Sequence, residues 1–176
     1  MRWSLKKVWI GWEWLETLQV FEKKAVEKIM NASDYITTGM SLEQTYQVEE
    51  IHLARHIGSG SVRVLATPWM IAFMERVSHQ LLVDHLPDDY SSVGYIVDIQ
   101  HIAPTPLGST VKVRAEVSEV SGIKVSFSLS AWDEQEQIGS GRHVRVVIQP
   151  ERFLKRVTSK SESNQAQDQQ DSGARG

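Results

Sequence analysis

Glu75 is the first residue whose setting asks for a chemical explanation. It directly follows Trp69-Met70-Ile71-Ala72-Phe73-Met74, which is apolar all round at helical spacing. A helix without a polar face is normally buried, and a carboxylate on one is costly unless it is paired or put to use. On a helical wheel Glu75 lies between Ile71, Ala72, Ser78, His79 and Leu82. Two readings fit. The helix emerges into solvent at Glu75-Arg76 and Glu75 pairs with His79 one turn on, or the carboxylate serves as a base or nucleophile. His101 closes the run Tyr95-Ile96-Val97-Asp98-Ile99-Gln100 on the face of Tyr95, Val97 and Ile99, which is apolar and therefore inward. It is either a satisfied structural residue or a neutral imidazole that accepts or delivers a proton. Thr67, just before Pro68, reads as a helix N-cap. It caps and does nothing more, or it also stands where free N–H groups and positive potential steady an oxyanion.

Other patterns are weaker. Ile57-Gly58-Ser59-Gly60 recurs as Ile138-Gly139-Ser140-Gly141. Neither copy leads straight into a helix as a phosphate loop requires. Their glycines, Gly60 among them, instead let backbone pass close to a neighbour or ligand. His52 and His56 follow Glu49 and Glu50 at i, i+4 spacing, but no third ligand has matching spacing. A solvated loop is the expectation, with no metal. The chain has no Cys, which excludes a disulfide scaffold, a Cys-ligated metal site and a thiol nucleophile.

These residues need elements to hold them. A helix is expected from Thr67-Pro68 to about Leu86, where Pro87 stops it. Val111, Val113, Ala115 and Val117 alternate with Lys112, Arg114, Glu116 and Ser118, and Ile123 to Ala131 alternates likewise. Val144, Val146 and Ile148 alternate with His143, Arg145 and Val147, which puts the last three on the outward face. Period two with one polar face means half-buried antiparallel strands. Val120-Ser121-Gly122-Ile123 makes a hairpin link. Leu42–Val48, Val62–Leu65 and Val93–Ile102 complete the strands. Five or six antiparallel strands with one buried helix make an α+β domain, a sheet wrapped around a helix. Its open edges favour dimerisation.

The chain has 176 residues, 41% hydrophobic and 23% charged, which suits one domain with a real core. Four of its six Trp fall within the first 14 residues, so the start differs in composition from the rest. Residues 1–40 read as a Trp-rich extension with an amphipathic helix over Trp14–Ile29, residues 41–157 as the domain, and residues 158–176 as a disordered polar tail. Glu13 and Glu16 interrupt the early apolar stretch, so a secretory signal is not expected. No apolar run approaches the roughly 18 residues of a spanning helix, so no stable membrane insertion is expected either. The net charge of −3 gives no reason to expect a nucleic-acid partner.

Four motifs in order then combine. Ala66-Thr67-Pro68-x-Met70-x-x-x-Met74-Glu75, Gly94, His101-x-Ala103-x-Thr105-Pro106-x-Gly108 and Ile138-Gly139-x-Gly141-x-His143-x-Arg145 resemble the fluoroacetyl-CoA thioesterase-like branch of the hot-dog fold, over about Ser41 to Phe153. The resemblance implies a cytoplasmic hot-dog homodimer, or a dimer of dimers, that hydrolyses acyl-CoA thioesters without a cofactor. Residue by residue, the family's catalytic Thr, Glu and His fall on Thr67, Glu75 and His101, and Gly94 matches a glycine that lines the pocket. Trp69 and Gly60 sit beside that pocket. Lys112, Arg114, Arg142 and Arg145 either meet CoA phosphates or are ordinary outward strand residues. The fluoroacetyl-specific members carry a longer, Phe-containing lid before the Thr. Here Gly58 to Ala66 is short and has no Phe, which points to a more ordinary short acyl group. The rival class is a non-catalytic hot-dog module that binds an acyl thioester or assembles a partner. The Gly-Asp-x-Asn-Pro-type segment of enoyl-thioester hydratases is not found.

Overall fold

The computed structural model describes residues 30–160. The helix expected over Trp14–Ile29, the Trp cluster and residues 161–176 lie outside the described residues. Five strands, β1 Ser41–Gln47, β2 Ser91–His101, β3 Thr110–Ser121, β4 Lys124–Trp132 and β5 Gln137–Ile148, form one antiparallel sheet in the order β1-β3-β4-β5-β2. One helix, α1 Thr67–Val83, packs on it. Met70, Phe73, Met74, Val77, Leu81 and Leu82 of α1 are buried. They face Val111, Val113, Ala115 and Val117 of β3 and Val125, Phe127, Leu129 and Ala131 of β4, also buried. The alternation in β3 and β4 therefore marks the core face, and Gly122 turns between them at φ +59°.

Several expectations need correcting. Val62–Leu65 is not a strand. Its residues make two isolated bridges, Leu65 to Leu53 and Val64 to Pro106, so no ladder propagates. The helix stops at Val83, with the Asp84 N–H closing on the Gln80 carbonyl at 3.0 Å. The packed unit begins at Asn31 rather than Ser41. Ala32 and Ile36 are buried, and the Ala32 and Gly39 N–H groups donate to Gly122 and Val117 carbonyls, each at 2.8 Å. At the other end residues 150–160 are helical, with 151–160 exposed, which carries helical backbone past residue 157.

Two corrections bear on function. In β5 the phase is opposite to expectation. Gly139, His143 and Arg145 pair with Ala131, Phe127 and Val125 of the core face, so His143 and Arg145 point inward and are buried. Register is set by the neighbouring strands, and with valines in both phases the β5 sequence could not reveal it. In β2 the register shifts between Gly94 and Ile96. This bulge leaves Tyr95 59% exposed rather than inward. It also brings Gly94, before the bulge, onto the same face as Val97, Ile99 and His101 after it. Among the described residues the outer edge of β2 has no strand beside it.

Candidate active site

Thr67 begins α1, but it is not the cap. The Ala66 carbonyl receives the first helical N–H groups, from Trp69 at 3.0 Å and Met70 at 3.1 Å, and no side chain caps this end. The Thr67 hydroxyl is therefore free of the backbone, and its Oγ1 lies 2.9 Å from His101 Nδ1. His101 ends β2 opposite Gly139. Its pKa is lowered by burial, against a smaller raising influence from the Ala103 backbone, so the imidazole is neutral at neutral pH. His101 Nε2 is buried without a hydrogen-bond partner. Thr67 and His101 together wall a cavity of about 310 Å³ whose other sides include Ala54, Ser59, Leu65, Ala66 and Pro104.

Trp69 and Gly60 are not among the residues that line this cavity. Trp69 turns to another face of α1, where its ring meets His52 at 4.6 Å and the Arg76 guanidinium at 5.6 Å. His52 is accordingly an aromatic-cluster residue rather than a solvated one. Its ring also meets Phe73 at 5.0 Å, and its Nδ1 accepts the Glu49 N–H at 3.0 Å. The described residues contain no group of side chains that could hold a metal ion.

Glu75 belongs to a second cluster, farther along the helix. Its Oε1 lies 3.9 Å from Arg145 Nη1 and 3.7 Å from His143 Nε2, and its side chain is 41% exposed. Gly94 makes room for it, since a Cβ there would stand 2.8 Å from Glu75 Oε1. His79 hydrogen-bonds Ser92 Oγ at 3.3 Å instead of pairing with Glu75. Arg145 is no surface cation for a phosphate. Only 6% exposed, it donates from Nε to Ser92 Oγ and from Nη2 to the Ser92 carbonyl, both at 2.9 Å. His143 was missed as a site residue because its strand phase was read outward. The clue that could have found it was its place two residues before Arg145 in the last of the four motifs.

The structure thus brings Thr67 to His101 and Glu75 to Gly94 and Arg145, but among the described residues no hydrogen bond or ion pair joins the two clusters. Eight helical residues separate Thr67 from Glu75, about 12 Å of rise. One cluster offers a neutral imidazole and a hydroxyl beside a cavity. The other offers a half-exposed carboxylate beside a fixed cation. A base and a proton donor of these kinds suit hydrolysis of an activated acyl group.

A profile of the family described as fluoroacetyl-CoA-specific thioesterase matches residues 48–151. A fluoroacetyl-CoA thioesterase of Streptantibioticus cattleyicolor is 38% identical over 98 residues, 56% of this chain and 70% of that protein. A solved structure of a fluoroacetyl-CoA thioesterase superposes with a TM-score of 0.68 at 31% identity, over 71% of this chain and 97% of the other. A hot-dog-like protein from Thermanaerovibrio acidaminovorans shares the fold, with a TM-score of 0.69 at 23% identity over 74% of this chain and 97% of the other.

Proposed function

The chain belongs to the fluoroacetyl-CoA-specific thioesterase family, and on that premise we propose that it hydrolyses a short acyl-CoA thioester to the free acid and CoA, as a homodimer in the cytoplasm. The observation that carries the chemistry is the bond from Thr67 to His101 at 2.9 Å beside the cavity. A hydroxyl donating to Nδ1 leaves the proton of a neutral ring on Nε2, the buried atom without a partner. The neutral ring, fixed in this tautomer by Thr67, can hydrogen-bond the departing sulfur or relay to it the proton that is released when water attacks. Glu75 is the nucleophile or general base, attacking the thioester carbonyl directly or through a water whose proton it takes. The carbonyl becomes a tetrahedral oxyanion, the C–S bond breaks as it collapses, and CoA leaves as the thiol with a proton that comes from water. In direct attack the acyl group remains on Glu75 as an anhydride, which water then opens to the free acid. N–H groups near the start of α1 or near Gly94 serve the oxyanion.

The dimer supplies what one chain lacks. The free edge of β2 exposes Tyr95, Ile96 and Val97 by 59%, 41% and 44%, and such an edge invites pairing. Antiparallel pairing of β2 with its copy about a two-fold axis between Val97 and Asp98 sets His101 of one protomer opposite Gly94 of the other. That arrangement carries the Glu75 cluster of one chain to the Thr67–His101 pair of its neighbour.

The test is thiol release from a panel running from acetyl-CoA to longer acyl-CoAs. Hydrolysis is expected to be fastest on short chains. Glu75→Gln keeps the volume and removes the charge, and it should lower kcat by about 100-fold or more. Near wild-type hydrolysis by Glu75→Gln would overturn the assignment of Glu75, and binding of every acyl-CoA without release of CoA would mark a non-catalytic module.

A further inference from the structure

We propose that His143 is a positioning residue for the Glu75 carboxylate, acting through Arg145, an inference that rests on Glu75 being the reacting group. His143 is fully buried on β5, and two contacts fix what its ring must be. Nδ1 lies 2.8 Å from the Ile96 carbonyl. A carbonyl only accepts, so Nδ1 carries the proton. Nε2 lies 3.2 Å from Arg145 Nη1. A guanidinium only donates, so Nε2 offers its lone pair. The ring is therefore neutral and held in the Nδ1–H tautomer. Burial, the largest influence on it, also disfavours its protonation.

This assignment decides what touches Glu75. With its lone pair on Nε2, His143 cannot donate to Glu75 Oε1 3.7 Å away, so that approach is no ion pair. The cation beside the carboxylate is Arg145, 3.9 Å from Oε1. Ser92 holds two sides of the guanidinium, through Nε and Nη2. His143 holds the third, through the same Nη1 that faces Glu75. The Ile96 carbonyl that orients the ring lies where β2 shifts register, one residue past the bulge and two past Gly94. The bulge thus sets both the space for the carboxylate and the tautomer that anchors its cation. His143 makes no hydrogen bond to the Glu75 carboxylate. It sets where Arg145 stands, and a misplaced base costs turnover far more than binding.

The test combines kinetics with NMR on the full chain. His143→Leu keeps an apolar volume but removes both donor and acceptor. His143→Gln supplies an amide that can donate to Ile96 and accept from Arg145. The expected result is a kcat lower by about 10- to 100-fold in His143→Leu with KM for acyl-CoA within about twofold, and recovery of most of kcat in His143→Gln. Should His143→Leu fail to fold, His143→Asn takes its place, because its shorter amide cannot span both partners. Long-range proton–nitrogen correlation should show the His143 ring protonated at Nδ1, with the signal assigned by its loss in His143→Gln. A ring protonated at Nε2, wild-type kcat in the folded Leu or Asn variant, or a Gln variant no better than that variant would overturn the proposal. Glu75→Gln separates the two levels. If it is inactive while His143→Leu is fully active, only the role of His143 falls. If Glu75→Gln is itself active, the reading of Glu75 falls as well.

Discussion

At Gly94 the absence of a side chain is the seat of another. A Cβ there would stand 2.8 Å from Glu75 Oε1 and 3.4 Å from the His143 ring. The first contact is with the far end of a flexible side chain, which can turn away without disturbing the fold. Gly94→Ala is therefore expected to melt within a few degrees of wild type yet lose about 10- to 100-fold in kcat, since the carboxylate no longer points where it did. Unchanged kcat would show that this seat is not needed. Thr67 poses a sharper question because two roles were open to it. As an N-cap, its replacement by Val would cost about 1 kcal/mol of stability. Since Ala66 is the cap and the hydroxyl faces His101, Thr67→Val should leave stability nearly unchanged and reduce kcat by about 100-fold, with Thr67→Ser restoring most of it. Thermal melts beside thiol-release kinetics read both halves. A large loss of stability with kcat preserved would return Thr67 to the capping role.

Among the elements, β5 governs how β2 presents Gly94 and His101. A Cβ at Gly141 would collide with the backbone of Asp98 and Ile99, and one at Gly139 would press on Met70 and the Gln100 carbonyl. Neither Asp98 nor Ile99 backbone can yield as a side-chain tip does. Gly141→Ala should cost about 1–3 kcal/mol by urea denaturation and lower activity with it, because β2 must shift. A fully stable Gly141→Ala would mean that the two strands have slack. The close backbone approach at this Gly-x-Gly was legible in the sequence. The direction of His143 and Arg145 was not, because a strand with valines in both phases carries no period of its own. The β2 bulge was equally hidden, since no residue type there announces an unpaired position.

For the whole molecule, the partly buried His79 and His101 and the buried His143 set the acid limit. Burial lowers the pKa of His79, His101 and His143 below the usual 6.5, with Arg145 adding to the effect at His79 and His143. As pH falls through about 6.5 the unfolded chain takes up protons that the folded chain refuses, so stability is full above that value and declines below it. Tm should therefore fall between pH 7 and pH 5, measured by thermal melts. A flat or rising Tm across that window would contradict the burial of these rings. The second whole-molecule prediction concerns assembly. If the chain pairs through β2 as proposed, Val97→Lys on that edge should leave it monomeric by sedimentation and abolish thiol release together. A monomeric but active variant would place the complete site within one chain.

Alternation in β3 and β4, the apolar run before Glu75 and the Thr67-Pro68 start determine the α+β class and the central helix, and they single out Thr67 and Glu75 on that helix. These are local signals, because residue type and spacing along one strand or helix fix which face meets the core. Only the tertiary structure decided that Thr67 spends its hydroxyl on His101, that His143 and Arg145 face inward, and that Glu75 stands apart from the pair within one chain. Each depends on register between strands distant in sequence. A one-residue shift there turns every side chain over, and no single segment encodes it.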